Sequence, residues 1–295
     1  IILLGLIGNL LSCIVFLNTH LRIRSSSYYL AALATADFTF LVTLLLVWFN
    51  NTLGWKVFNK DGWCETLVYV SAVCSSLSVW LIVAFTVERF IAVQYPLHRP
   101  HICTIARAKT IVLVLVILAL ASHSYSFVTA GIVMNKDGEE YCDMKVEYME
   151  TMKIISIIDS IASLIAPLVL IIVMNTMIMR NLLQRDIRSS SKNLVSTRNQ
   201  QNITKMLLLI STVFILLNLP SYVIRLCVFF FTLARKNTPD LLWCIQQFFM
   251  LLYYTNFSIN FLLYAMCGIT FRRCLQQLLR KILKSMTRYH CNPQR

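Results

Sequence analysis

The chain holds 295 residues, 58% of them apolar and only 14% charged, with a mean hydropathy of +0.68. That is more apolar surface than one globular core can hide, so a large soluble domain is excluded and lipid is the solvent for much of the chain. The formal charge of +14 is scattered and no nucleic-acid fold pattern accompanies it, which excludes a nucleic-acid partner and leaves membrane topology, with attraction to anionic lipid as a secondary effect.

Apolar runs fall at about 1–17, 28–49, 66–87, 110–134, 154–179, 206–233 and 241–267. Each is long enough to cross a hydrocarbon core, which takes roughly 20 helical residues. Backbone groups in lipid must bond within their own segment, so the runs are read as helices. The predicted fold is all-α, a seven-transmembrane-helix bundle over residues 1–285, with residues 286–295 starting a cytoplasmic tail. The chain opens at Ile1, inside helix one and without a signal-peptide pattern, so further N-terminal sequence is expected. Of the 27 Lys and Arg, 19 fall on the side of the 1–2, 3–4 and 5–6 connections and the C-terminus, and 8 (27 − 19) on the other. The basic side is cytoplasmic, making the chain a multi-pass membrane protein.

Taken in order, helix one carries Asn9 and helix two carries Asp37. A carboxylate at the bilayer centre costs roughly 2.5–3.5 kcal/mol on the insertion scale, so Asp37 needs a proton or a cation. Ser78 in helix three, Asn218 in helix six, and Asn256 and Asn260 in helix seven are the other deep polar groups. Interhelical hydrogen bonding is one reading of the asparagines. Hard oxygen ligands around a small ion are the other. Helix three ends in the Glu88-Arg89 pair after Ser71 to Val87, a stretch without charge. Charges so placed mark a working part. His123, alone in helix four, reads as a packed or hydrogen-bonded residue. The 4–5 connection is acidic, with Asp137, Glu139, Glu140, Asp143, Glu147 and Glu150. These are either simply solvated or steer a cationic ligand inward. Asn50-Asn51-Thr52 is a glycosylation pattern lying against the membrane.

Cys64, heading helix three, and Cys142, in the acidic loop, both face an oxidising compartment, and a bridge between them would pin the loop over the bundle mouth. Cys227 and Cys244 flank the 6–7 connection and are candidates for a second bridge. The stretch FRRCLQQLLRKILKSM puts Phe271, Leu275, Leu278, Leu279 and Ile282 largely on one face, which predicts an interfacial amphipathic helix near 270–285. Cys274 and Cys291 are candidates for palmitate.

Several of these residues fall into a known order. Gly8-Asn9, Leu33-Ala34-x-Ala36-Asp37, Cys64, Glu88-Arg89-Phe90, Ala92-Val93-x-x-Pro96-Leu97, Pro167, Phe214 with Pro220, and Asn260-x-x-x-Tyr264 resemble the rhodopsin-like G-protein-coupled receptors. The resemblance covers nearly the whole chain, with motifs in every helix but the fourth. It implies that Glu88 restrains Arg89 until the bundle opens and Arg89 meets a heterotrimeric G protein. Phe90, Phe214, Asn218, Pro220, Asn260 and Tyr264 would belong to the same activation switch. It further implies an inner sodium ion held by Asp37, Ser78, Asn256 and Asn260.

The chain also departs from the family. Asn218 stands for the usual helix-six Trp, Asn260-Phe261 for Asn-Pro, and Asn175 for the helix-five Tyr, while Gln200 replaces an acid that reaches Arg89 in many members. An Asn at 218 would make helix six respond through hydrogen bonds. Ser71 occupies the position of the amine receptors' counter-ion and Tyr254 that of the opsin lysine, which argues against both ligand classes. The outer mouth offers Trp48, Ser71, Asp159, Arg225, Gln246 and Tyr254 as ligand-binding residues. With the acidic 4–5 loop this polar, aromatic mouth resembles that of peptide receptors, and the stretches LNLPSYVIR and NFLLY most resemble invertebrate neuropeptide receptors of the FMRFamide-like and thyrotropin-releasing-hormone-like branch. The expected partners are an extracellular peptide, a G protein and membrane lipid. The alternatives are a lipid or other small molecule as ligand, or a transporter. Internal repeats, which transporters tend to show, are not found. No nucleophile-base or metal constellation suggests an enzyme.

Overall fold

The computed structural model describes residues 1–54, 58–134, 138–188, 194–233 and 240–290. Helix α1 covers Ile2–Asn18, α2 Ser25–Leu53 and α3 Trp63–Gln94. A one-turn α4 at Arg99–Ile102 leads into α5, Ile105–Ser122. The fifth span is composite: α7 (Met149–Ser160), a π-helical turn at Ile161–Ile165, then α8 (Ala166–Arg188). The chain continues through α9 (Leu194–Leu233), α10 (Asp240–Cys267) and α11 (Ile269–His290). Between α5 and α7 lie a one-turn α6 (Ser126–Thr129) and the strands β1 (Ala130–Met134) and β2 (Glu140–Met144).

Six helical stretches among the described residues are long and apolar enough to cross a bilayer, and α1 is a shorter apolar helix of 17 residues. They are the seven expected spans. Helix α3 runs through the middle, touching α2, α5, α8 and α9, while α1 packs on α2 and α10. The α1–α10 approach depends on Gly8, where an added Cβ would meet the Cβ of Phe261 at 2.8 Å. Local chemistry sets several ends. Thr104 accepts from the Arg107 N–H at the start of α5, and the Glu65 carboxylate accepts from the Gly62 N–H at 2.7 Å before α3. Gly54 closes α2 with φ of 65°, a left-handed conformation that favours glycine. The π-helical turn sits beside Pro167, whose missing N–H removes the bond back to Ser163.

The fourth span differs from expectation. It begins at Ile105 and ends at Ser122, and residues 130–134 of the predicted helix are strand, paired antiparallel with 140–144 in the register Ile132 to Cys142. Apolar content alone cannot tell helix from strand in a short run rich in Ile and Val; here the partner strand decides. A disulfide from Cys64 to Cys142, with Cα atoms 5.6 Å apart, fastens this hairpin to the outer end of α3. Cys227 and Cys244 are not bridged; both are free thiols.

Helix α11 extends to His290, five residues past its predicted end. Phe271 turns inward, its ring centroid 5.3 Å from that of Phe16 and 5.6 Å from that of Tyr264. Cys274 is only 5% exposed, buried on this inner face, so it is not free to carry a palmitoyl chain. Cys291 and Asp137 lie outside the described residues, as does the side chain of Gln200. Asn50 is buried and its Oδ1 accepts from the Phe58 N–H at 3.1 Å.

Candidate functional site

Three polar centres lie one below another along the bundle. The outermost is a cavity of about 350 Å³, lined by α2, α3, the α5–α6 turn, the fifth span, α9 and α10. Ser71, Asp159, Arg225 and Tyr254, all expected there, line it. Trp48 and Gln246 do not. The Trp48 side chain is 49% exposed and leans on Phe49, because its position on α2 faces the flank of the bundle. Both residues were read from depth alone, and depth does not fix the side of a helix.

Asp159 and Arg225 do not pair with each other. The Asp159 carboxylate accepts from Ser163 Oγ at 2.9 Å, and His123 Nε2 stands 3.8 Å away. The π-helical turn supplies Ser163, and the end of α5 supplies His123, which is buried and hydrogen-bonded to Ser122, as expected, and also lines the cavity. The Arg225 guanidinium lies over the ring of Tyr253, 5.5 Å from its centroid, a cation–π contact. Tyr253 in turn shares a hydroxyl hydrogen bond with Ser75 of α3. The cavity thus has an acidic end and a basic end with tyrosine rings between them.

The middle centre is Asp37, which is fully buried. Ser78 Oγ donates to Oδ1 at 2.7 Å and Asn260 Nδ2 donates to Oδ2 at 2.7 Å, joining α2 to α3 and to α10. Asn260 presents its nitrogen, so it holds the carboxylate and does not face it as an oxygen ligand. Asn256 is buried one turn away and makes no bond to Asp37. Among the described residues no basic side chain pairs with Asp37, and the carboxylate and the Ser78 hydroxyl keep lone pairs of the hard type that suits a small cation. Nearby on α1, Asn9 Nδ2 donates to the Phe257 carbonyl at 2.8 Å, leaving its own Oδ1 buried without a partner.

The innermost centre is at the cytoplasmic end of α3. Arg89 Nη2 donates to Glu88 Oε1 at 2.7 Å, and both side chains are buried. The same Oε1 accepts from Ser25 Oγ, at 2.9 Å, on the first turn of α2. Ser25 was missed in the sequence, although the Ser25-Ser26-Ser27 run at the cytoplasmic start of an apolar helix offered a signal. Phe90 packs into the apolar core on the other side, and the Arg89 guanidinium lies 5.8 Å from the Phe85 ring centroid. In the following loop, burial first and the Glu88 carboxylate second push the Cys103 thiol pKa up, which keeps it protonated.

Helix six carries its own departures. Asn218 donates to the Phe214 carbonyl at 2.7 Å, one turn back in α9, and its Oδ1 has no partner. Of the two readings open for the asparagines, interhelical bonding is not made by Asn218. Asn175 of α8 makes such a bond, donating through Nδ2 to Ser211 Oγ of α9 at 2.7 Å. Lower down, Asn181 of α8 donates to Gln94 of α3. Tyr264 is fully buried with its hydroxyl unpartnered, edge-on to Phe16. Pro220 stands within α9, above Asn218.

Comparison with known proteins agrees with this arrangement. The family model described as 7 transmembrane receptor (rhodopsin family) matches residues 8–264. The chain belongs to that family, a multi-pass plasma-membrane class. Among its relatives, the neuromedin U receptor homolog nmur-2 of Caenorhabditis elegans is 26% identical over 92% of this chain and 75% of its own length. The FMRFamide receptor of Drosophila melanogaster is 25% identical over 92% of this chain and 50% of its own. The thyrotropin-releasing hormone receptor of Gallus gallus is 35% identical over 37% of this chain and 28% of its own. The chain thus spans three quarters of the first, half of the second and under a third of the last.

Proposed function

We propose that this chain is a receptor for an extracellular peptide and that it passes occupancy of its outer cavity to heterotrimeric G proteins at the Glu88-Arg89 end. The observation that carries the ligand class is the separation of Asp159 from Arg225 in one cavity. Each is held by uncharged or weakly charged neighbours, so each is ready to exchange them for a ligand group. A peptide offers both complements at once. Its basic side chain or N-terminus suits the carboxylate, and its C-terminal carbonyl suits the planar donor fork of arginine, which lysine does not reproduce. The relatives that bear the names of peptide receptors support this class.

The inner centre would hold a sodium ion with Asp37 and Ser78 as oxygen donors, Asn260 fixing the carboxylate from behind. The ion supplies the positive charge that a buried carboxylate otherwise lacks. At the base, Glu88 and Ser25 would keep Arg89 folded against α2 and α3 until the cytoplasmic side opens. Arg89 would then exchange an internal carboxylate for a partner on the G protein.

The test is a neuropeptide panel applied to cells expressing the full-length chain, with nucleotide exchange on G proteins as readout. An activating peptide should lose ten-fold or more in potency, about 1.4 kcal/mol, in Arg225→Lys and again in Asp159→Asn at equal surface expression. Parental potency in both mutants would place the ligand elsewhere.

A further inference from the structure

The outer cavity has a second hollow behind its wall. Ser76, His123, Tyr125, Asp159 and Ser163 line both. The second hollow measures about 500 Å³ and lies between α3, α5 and the fifth span, where Trp80, Leu115, Leu118, Ile155 and Ile158 make most of its surface. Leu118 is 58% exposed and Ile158 60%, on the outer flank of the bundle, so the hollow opens sideways into the hydrocarbon region of the bilayer. It is an apolar crevice with a carboxylate at its back.

That carboxylate is unusual for a surface turned to lipid. The Asp159 side chain is 45% exposed, its nearest basic group is His123 Nε2 at 3.8 Å, and the other ring nitrogen of His123 is engaged with Ser122 Oγ at 2.9 Å. An acid facing hydrocarbon is costly unless it is paired. Ser163 supplies one donor, and no lysine or arginine is among the described residues that line the crevice.

We propose that the crevice is a second binding site, entered from the membrane, for a single-chain amphiphile with a primary amine head. The ammonium meets Asp159, and the chain lies along Leu115, Leu118, Ile155 and Ile158. Charge sets the choice of occupant. A hydrocarbon chain gains little by leaving lipid for the crevice, because lipid tails are as apolar as leucine. Selectivity must therefore come from the head, and among its described lining residues the crevice offers the Asp159 carboxylate, with the His123 imidazole as the one basic group beside it. A primary amine, with a pKa near that of lysine at about 10.4, arrives charged. Because Asp159 also faces the outer cavity, an amine held from the membrane side withdraws that carboxylate from the outer ligand.

The experiment uses the full-length receptor in phosphatidylcholine nanodiscs and a dodecylamine carrying a photoreactive diazirine near the chain end. After illumination, labelled residues are mapped by mass spectrometry, with dodecylamine, dodecanol and dodecanoate as competitors. Label is expected on α5 and α7 around Leu118 and Ile158, displaced by dodecylamine and left in place by the alcohol and the acid. Asp159→Asn should reduce it ten-fold or more. Ala162→Phe, which fills the crevice from its exposed rim while keeping the carboxylate, should reduce it as well, and carries the test if Asp159→Asn reaches the surface poorly. Equal competition by dodecanol would mean an ordinary lipid chain fills the groove and would overturn the proposal. So would label that persists in both variants, or cross-linking of this flank to a second copy of the chain. The readout is the label itself, so the outcome does not depend on what binds the outer cavity.

Discussion

Ser25 and Arg89 share one oxygen: both donate to Glu88 Oε1, at 2.9 and 2.7 Å, from α2 and from α3 itself. The ion pair between adjacent residues is thereby tied to a neighbouring helix. A hydrogen bond to a charged group contributes about 1.5–3 kcal/mol, so the hydroxyl is a substantial part of the restraint on Arg89.

Ser25→Ala should raise signalling in the absence of ligand, and Glu88→Gln should raise it further, because the second change removes the charge as well as a good acceptor. Ligand-free nucleotide exchange at matched surface expression measures the order. A Ser25→Ala receptor as quiet as the parent would show that the hydroxyl only packs.

Asp37→Asn should abolish any dependence of agonist affinity on sodium. An ion shifts the equilibrium only through its preference for one conformation, and the proposed donors include a carboxylate that the mutant lacks. The asparagine can still accept from Ser78 or Asn260, so the fold should survive. Agonist displacement curves in sodium and in N-methylglucamine give the answer, and an unchanged sodium response in the mutant would remove the ion site.

Asn175 and Ser211 join α8 to α9, the Asn175 amide donating to Ser211 Oγ at 2.7 Å. Asn175→Ala and Ser211→Ala should each loosen the fifth span from the sixth and raise basal activity. The double mutant should go no further, since residues in contact give non-additive effects. Full additivity of basal activity would mean that the two act separately.

Cys64→Ser and Cys142→Ser should each impair surface delivery, and the double mutant should match the singles. The bridge is shared, so a second loss removes nothing more. Flow cytometry on intact and permeabilised cells separates delivery from synthesis.

Much of this was legible before any coordinates. The seven spans follow from apolar runs, and Asp37, Ser78 and Asn260 meet because each is too polar to face lipid and the bundle interior is the remaining place. The same logic found Glu88 with Arg89. What was hidden depended on rotation about a helix axis. Trp48 sits at the depth of the cavity but on the wrong side of α2, while His123, packed and hydrogen-bonded as expected, also lines the cavity at the end of α5. Interhelical bonding was one of two readings open for the asparagines, and Asn218 bonds to its own preceding turn, a choice open to any buried asparagine in a helix. The hairpin strand at 130–134 was hidden for a different reason, since its partner lies beyond a turn and five apolar residues carry no period.

The bridge between the first turn of α3 and β2 also records how the chain was threaded. Between Cys64 and Cys142 the polypeptide crosses the bilayer twice, down α3 and back through α5. Only an even number of crossings returns the second thiol to the compartment of the first. A molecule in which α5 failed to insert would strand Cys142 in the reducing cytosol, out of reach of its partner. Oxidation of this one pair is therefore a parity check on membrane insertion: a receptor that carries the bond has not lost just one of its third and fourth spans.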